Sequence, residues 1–255
     1  MPDEARVEIE REGPVAILAL HHPPGNRLTQ SMVQGLSAHL LALEKDSAVL
    51  AVVVTGAGGR TFCDGLDLQE WASLPPKDAQ SALQRGFEAL WALEHLTKPT
   101  IAAIEGGCRS IGAELALACD LRFASTSATF AFPEIDSAWM PSHGGIARLP
   151  RMIGRARALE LLLSGAEVRG SAAMDLGFVE HVTPKGEAIA NALTLARLFA
   201  EKSRTAVHAI KRALTESEEK PYRNRFLLES QYSVQLLWTD AYREAQERRR
   251  RERPE

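Results

Sequence analysis

Three stretches concentrate glycines and carboxylates at loop–helix junctions or in loops: Thr61–Glu70, Ala103–Asp120 and Phe132–Leu149. The first two run from strand to loop to helix. Each has a glycine where the helix begins, so main-chain N–H groups there point outward and are not yet paired. Two such termini facing each other form a paired-donor hole for a developing oxyanion. For either junction alone, a glycine that merely permits a tight turn is the commoner explanation. Glu114 begins an apolar helix, a place the macrodipole favours for any acid. Glu134 follows a proline in an aromatic-flanked loop.

The other reactive residue types are poorly spaced for chemistry. Ser142 and His143 are adjacent, a poor geometry for a nucleophile and its base, and His143 reads as a loop or pocket-wall residue. Cys63 and Cys108 read as small buried side chains. His21-His22 has no carboxylate or cysteine at metal-ligand spacing, so no metal is expected. Gly56–Gly59 lacks the lysine of a phosphate loop. Arg248–Arg251 reads as a solvated helix end, favoured by the dipole, more than as a nucleic-acid arm.

The scaffold for these stretches reads as α/β. Pro14–Leu20 is an apolar strand that ends in a His-His-Pro-Pro-Gly turn. Met32, Leu36, Leu40 and Leu43 mark one face of a helix that starts near Thr29 or Ser31. Ala48–Val54 is a second strand, so the two strands are parallel with a right-handed crossover. The pattern repeats as a helix over 80–96, a strand over 100–104, a turn over 106–112 and a helix over 113–119. Short strands follow at 121–124 and 129–132. Beyond Ile146 the chain reads as nearly all helix, apart from a strand at 178–182. Helices are expected over 187–202, 204–214 and 222–247, and Leu74-Pro75-Pro76 is the best candidate for a mobile loop. Two regions result: a core over 1–185 and a helical part over 186–255. Phe226, Leu227, Leu237 and Trp238 need something to bury against, which predicts an oligomer.

The 255 residues are 45% hydrophobic and 25% charged, an ordinary globular balance. Thirty basic and 33 acidic residues give a net charge of −3, which argues against nucleic acid or a membrane surface as partner. Three cysteines without a C-x-x-C pair suit a reducing compartment, taken as the cytoplasm. The polar start of the chain has no signal-like apolar region, and no run reaches the ~18 apolar residues of a membrane span.

Taken together, the three segments resemble the enoyl-CoA hydratase/isomerase (crotonase) family. Phe62, Gly65, Asp67 and Leu68 match its first motif. Gly106 through Glu114 to Asp120 match the second, and Pro133-Glu134 with Pro141, Gly144-Gly145 and Arg148-Leu149 the third. The likeness runs from about Pro14 to Pro184. It implies a superhelix of ββα turns with a C-terminal helical trimerisation subdomain, and a homotrimer or dimer of trimers. It implies an acyl-CoA thioester as substrate, with coenzyme A part of that substrate and no cofactor. The N–H groups of Leu66 and Ile111 become the oxyanion hole. Arg27, Leu28, Gly65, Asp67, Leu68 and Gln69 fall along the CoA path, and Trp139 and Met140 line the acyl pocket or lie in the core. Glu114 and Glu134 fall on the family's acid/base positions, where one activates water and the other protonates C2. Two carboxylates near one water should repel and raise one pKa. The implied activity is reversible syn hydration of a 2-enoyl-CoA.

Five positions depart from the family pattern. Ser110-Ile111 replaces glycines, and the branched Ile111 side chain either narrows the acyl pocket or twists the donor. Asp64 replaces a small residue, Ala138 a glycine and Gln69 a common lysine. Double-bond isomerisation through Glu134, thioester hydrolysis, decarboxylation and non-catalytic acyl-CoA binding stay open as alternatives. RNA binding through the arginine tail is a further one, which the net charge disfavours.

Overall fold

The structure, a computed structural model, describes residues 4–252. Its larger sheet has the order β1-β2-β3-β4-β6-β9. The strands are β1 (Arg6–Glu12), β2 (Val15–His21), β3 (Ala51–Gly56), β4 (Thr100–Ile104), β6 (Leu121–Ser125) and β9 (His181–Thr183). All neighbours are parallel except the β1–β2 hairpin. The smaller sheet joins β5 (Gly107–Arg109), β7 (Thr129–Ala131) and β8 (Val168–Arg169).

The expected ββα turns are visible in the pairing. Strands β3, β4 and β6 lie side by side in the large sheet. Each is followed by a segment in the second layer: Cys63, which bridges Cys108, then β5, then β7. A helix closes each turn: α3 (Pro76–Glu94), α4 (Ile111–Ala118) and α5 (Gly145–Ile153). Helix α1 (Gln30–Lys45) precedes them, with Thr29 as its cap accepting from the Met32 N–H. Its predicted apolar face is the buried one. The main core fills the space between the sheet and α1, α3 and α4.

Several elements differ from the sequence reading. Strand β1 was not expected, because five of its seven residues are charged and only Val7 is buried. Pairing with β2 supplies what hydrophobicity does not. The turn expected over 106–112 holds β5, and the two-residue β8 interrupts the expected helical run. At Leu74-Pro75-Pro76 the loop is short: α2 (Leu68–Ala72) ends just before it and α3 begins at Pro76, where proline's fixed φ suits a first helical turn.

After α6 (Arg155–Ser164) and α7 (Gly170–Leu176) comes α8 (Ala188–Ala200). Helix α8 falls beyond the 185/186 division, yet Ala188, Ala192, Leu193 and Ala196 pack on the far face of the sheet, against Val15, Val53, Ile101 and Phe123. The helices that stand off the core are α9 (Arg204–Ser217), α10 (Tyr222–Leu237) and α11 (Asp240–Glu252). The single helix expected over 222–247 breaks at Trp238-Thr239, where the Thr239 hydroxyl accepts from the Tyr242 N–H and restarts it. Among the described residues, no helix is long and apolar enough to cross a membrane.

Candidate active site

The two glycine loops are stitched together by main-chain hydrogen bonds. Phe62 and Cys63 both donate to the Gly107 carbonyl, at 2.9 and 3.0 Å, and Arg109 donates back to the Cys63 carbonyl at 2.9 Å. Contact is close at two glycines. A Cβ on Gly112 would stand 2.4 Å from the Cys63 oxygen, and one on Gly65 would stand 3.0 Å from the Ser110 Cβ. The residue after Gly65 is Leu66, and the residue after Ser110 is Ile111. Among the described residues, neither N–H donates to a protein acceptor. The peptide carbonyl on the far side of the Leu66 N–H, that of Gly65, accepts from Leu28 N–H at 2.8 Å and from the Cys63 thiol at 3.6 Å. Those bonds hold the peptide plane in place.

Ser110 carries this geometry at a cost. Its φ of 54° and ψ of −131° belong to glycine's territory, and a side chain there costs about 1–3 kcal/mol. The Ser110 N–H is anchored on the Ala131 carbonyl at 3.0 Å. Ile111, next in line, sends its side chain wholly into the main core, so packing absorbs its branched carbons.

Asp64 does not stand free beside the loops. Its carboxylate accepts from Arg109 Nη1 at 2.9 Å, and Arg109 also reaches Glu167. The two side chains sit on opposite loops and their charges oppose each other.

Glu114 is on the first turn of α4 and is buried, as is His143 (each about 1% exposed). Its Oε1 accepts the main-chain N–H groups of His143 and Gly145, both at 2.8 Å. Gly145 opens α5, so its amide is one of the donors that a helix leaves unpaired. Oε2 faces His143 Nδ1 at 3.5 Å. Glu134 lies on a short 3-10 turn, 133–137, that follows β7. Its Oε2 is buried with no partner among the described residues. Burial is the main force that pushes the Glu134 carboxyl up; the nearby Glu114 adds to this, while the Ser110 hydroxyl and His143 oppose it. The expected rise in one acid is therefore driven first by desolvation and only then by repulsion.

The expected CoA residues are brought beside the first loop. Asn26 fixes the approach, donating to the Ala57 and Thr61 carbonyls at 3.1 and 2.8 Å. Asp64 then donates to the Gly25 carbonyl, and Asp67 to the Leu28 carbonyl. Arg27 is exposed and, among the described residues, forms no ion pair. Leu28 has its side chain in the core and its main chain engaged with Gly65 and Asp67, so it acts as a joint between the two loops. Asp67 caps α2 through Oδ1, which accepts from Gln69 and Glu70. Leu68 and Gln69 are exposed on α2. Trp139 and Met140, 54% and 58% exposed, are not core residues. The Trp139 N–H donates to the Glu134 carbonyl at 3.0 Å, which places it at the site's rim.

Other reactive groups are accounted for. Burial pushes the Cys63 and Cys119 thiols up to about 12 and Cys108 well above its ordinary value, which keeps all three as thiols. Among the described residues, no group of three His, Cys, Asp or Glu side chains could hold a metal ion. Two cavities of about 540 and 470 Å³ do not contain the carboxylate pair. They flank Arg148, near the C-terminal end of α4 and beside α3.

Sequence reasoning missed the contacts of Ser110 with Glu134 and of His143 with Glu114. The signal for His143 was its place directly before Gly144-Gly145, the pair that starts the helix gripping Glu114.

A family model described as enoyl-CoA hydratase/isomerase matches residues 10–252. A probable enoyl-CoA hydratase of Bacillus subtilis (strain 168) is 37% identical over 218 residues, 85% of this chain and 84% of that one. The enoyl-CoA hydratase EchA19 of Mycobacterium tuberculosis is 32% identical over 240 residues, 92% of this chain and 90% of that one. The crystal structure of an enoyl-CoA hydratase from Bacillus anthracis shares the architecture with a TM-score of 0.93 at 29% identity, covering 97% of this chain and 96% of that one.

Proposed function

The chain belongs to the enoyl-CoA hydratase/isomerase family, and from that premise we propose that it catalyses reversible syn hydration of a 2-enoyl-CoA thioester. Its fold is the crotonase fold of those enzymes. The thioester oxygen sits on the Leu66 and Ile111 N–H groups. Glu114 orients a water and takes its proton as the oxygen bonds to C3. The double-bond electrons move toward the carbonyl, and the two amides carry the enolate charge. Glu134 then delivers its proton to C2. One water has been added, Glu114 is left protonated and Glu134 ionised, and exchange with solvent restores both. The reverse reaction exchanges the two duties.

The observation that carries this reading is the contrast between the two acids. Glu114 has one oxygen fixed by two main-chain donors, which suits a group that must aim a water. Glu134 has a partnerless oxygen and a carboxyl pushed up by burial, which suits a proton donor.

Hydration involves no net oxidation, so the reading assigns no cofactor beyond the CoA carried by the substrate. Arg27 meets a CoA phosphate, Gly65, Asp67, Leu68 and Gln69 follow the adenine and pantetheine path, and Trp139 with Met140 borders the acyl group. The assembly is a homotrimer or dimer of trimers built through α9–α11, and the compartment is the cytoplasm.

A panel of 2-enoyl-CoAs, followed by loss of the conjugated-thioester absorbance, tests the reading. The wild type should consume at least one, and Glu114→Ala and Glu134→Ala should each nearly stop it. Absence of turnover across the panel would overturn it. Isomerisation through Glu134 alone is the second reading, favoured by that same free oxygen. It predicts that Glu114→Ala keeps most of the activity.

A further inference from the structure

His143 is the most unusual buried group beside the carboxylates. It is about 1% exposed, and its two ring nitrogens have opposite surroundings. Nδ1 lies 3.2 Å from the Ser142 hydroxyl and 3.5 Å from Glu114 Oε2. Nε2 is buried with no partner among the described residues. The reason is packing. The ring edge lies flat on α3 at Gly86, where an added Cβ would stand 2.5 Å from both Cδ2 and Nε2. Trp71 closes another side, edge-on, with ring centroids 6.4 Å apart. Arg148 Nη1 donates to the His143 carbonyl at 2.8 Å and is itself held by Glu94, which fixes the main chain beneath the ring.

We propose that His143 is a positioning residue for Glu114, seated by Gly86 so that its Nδ1–H holds the carboxylate oxygen that the main chain leaves free. A hydrogen on Nε2 would be a buried donor with nothing to receive it, whereas a bare Nε2 against a glycine Cα costs less. The ring hydrogen therefore sits on Nδ1, where both available acceptors lie. Glu114 Oε1 is already pinned by two amides of the same loop. A donor at Oε2 removes the remaining freedom, rotation of the carboxylate about its last bond. A carboxylate that aims a water needs this, since a misplacement of about 1 Å can cost about 10²-fold in rate. The proposal rests on the hydratase reading for its kinetic consequence, and on the contact alone for its spectroscopic one.

Two sets of variants test it. His143→Asn puts an amide N–H close to the place of Nδ1, and His143→Gln puts one close to Nε2. His143→Ala and His143→Gln should lose about 10²-fold in kcat with KM nearly unchanged. His143→Asn should recover most of that loss. Equal losses in Asn and Gln variants of native thermal stability would overturn the proposal. Independently of turnover, ¹⁵N NMR of the imidazole should show the hydrogen on Nδ1, with that resonance moving in Glu114→Gln. A hydrogen on Nε2, or no response to Glu114→Gln, overturns it even in an active enzyme. If the wild type hydrates no enoyl-CoA, the hydratase reading falls and the NMR result alone decides the contact. Gly86→Ala should lower Tm in the wild type but much less in His143→Ala, because the clash is with the ring.

Discussion

Gly65 and Ser110 touch back to back, 45 residues apart in sequence, so close that a methyl group on Gly65 would meet the Ser110 Cβ at 3.0 Å. This contact sets the spacing of the Leu66 and Ile111 amides, each of which follows one of the pair. Gly65 also has a φ of 109°, which an L side chain rarely adopts. Gly65→Ala should push the loops apart and misplace one donor. The expected loss is about 10²–10³ in kcat, the usual effect of removing an oxyanion donor, with acyl-CoA binding less affected. Steady-state kinetics with KM reported separately checks it. An Ala variant of full kcat would show that the two amides do not share an oxygen.

Ser110 links strain to proton chemistry. Its hydroxyl favours the ionised form of Glu134, against the stronger effect of burial. Ser110→Gly removes both the strain and the hydroxyl. Stability should rise by up to about 1 kcal/mol, since glycine accepts this backbone but also gains freedom when unfolded. The Glu134 carboxyl should move further up. In the proposed hydration Glu134 is the acid, and activity would fall when rising pH deprotonates it, so the basic limb of the kcat profile should shift to higher pH in the variant. A limb that stays or moves to lower pH would contradict this role for Glu134.

How much of this was legible depends on whether a residue's partner is near in sequence. The apolar face of α1, a cap at Thr29 or Ser31 and the valine-rich β3 follow from local pattern, and the structure contains the face and the strand and takes Thr29 as the cap. The family motifs directed attention to Glu114, Glu134, Leu66 and Ile111. Strand β1 was not legible because its stability comes from pairing with β2 and not from its own composition. Asp64 looked like an intruder because its partner, Arg109, lies 45 positions away. His143 reads only as a loop or pocket-wall residue because its neighbour in sequence is Ser142, while the groups that define it, Glu114 and Gly86, are on helices distant in sequence. Ala138 replaces a usual glycine and does adopt a left-handed backbone, with φ at 53°. The turn after Glu134 is thus kept without the residue that suits it best.

Helix α10 has no buried residue, and Phe226, Leu227 and Trp238 present large apolar surfaces along and just beyond it. A cluster of this kind marks an interaction surface, and the proposed trimer would cover it. Light scattering coupled to size exclusion should give the mass of a trimer or hexamer. Phe226→Glu combined with Trp238→Glu should shift it toward the monomer, because each glutamate buried in an interface costs several kcal/mol unless paired. A wild-type monomer at micromolar concentration would remove the trimer from the proposal.

Glu134→Gln separates the role of the acid from its cost to the fold. The amide cannot donate a proton to carbon, so hydration should drop by about 10²–10⁴, while the thioester still binds. Stability should move the other way. Burial raises the folded pKa of Glu134 above its unfolded value, so the folded state holds this proton more tightly than the unfolded chain does. That contribution is fully present below the unfolded pKa and is lost as pH rises through the folded pKa. The wild type therefore bears the cost of a buried charge at high pH, and Gln does not. Tm of Glu134→Gln minus Tm of wild type should be positive at pH 8 and shrink toward pH 4. A difference that is flat with pH, or that grows on acidification, would mean that Glu134 is not held above its ordinary carboxyl range.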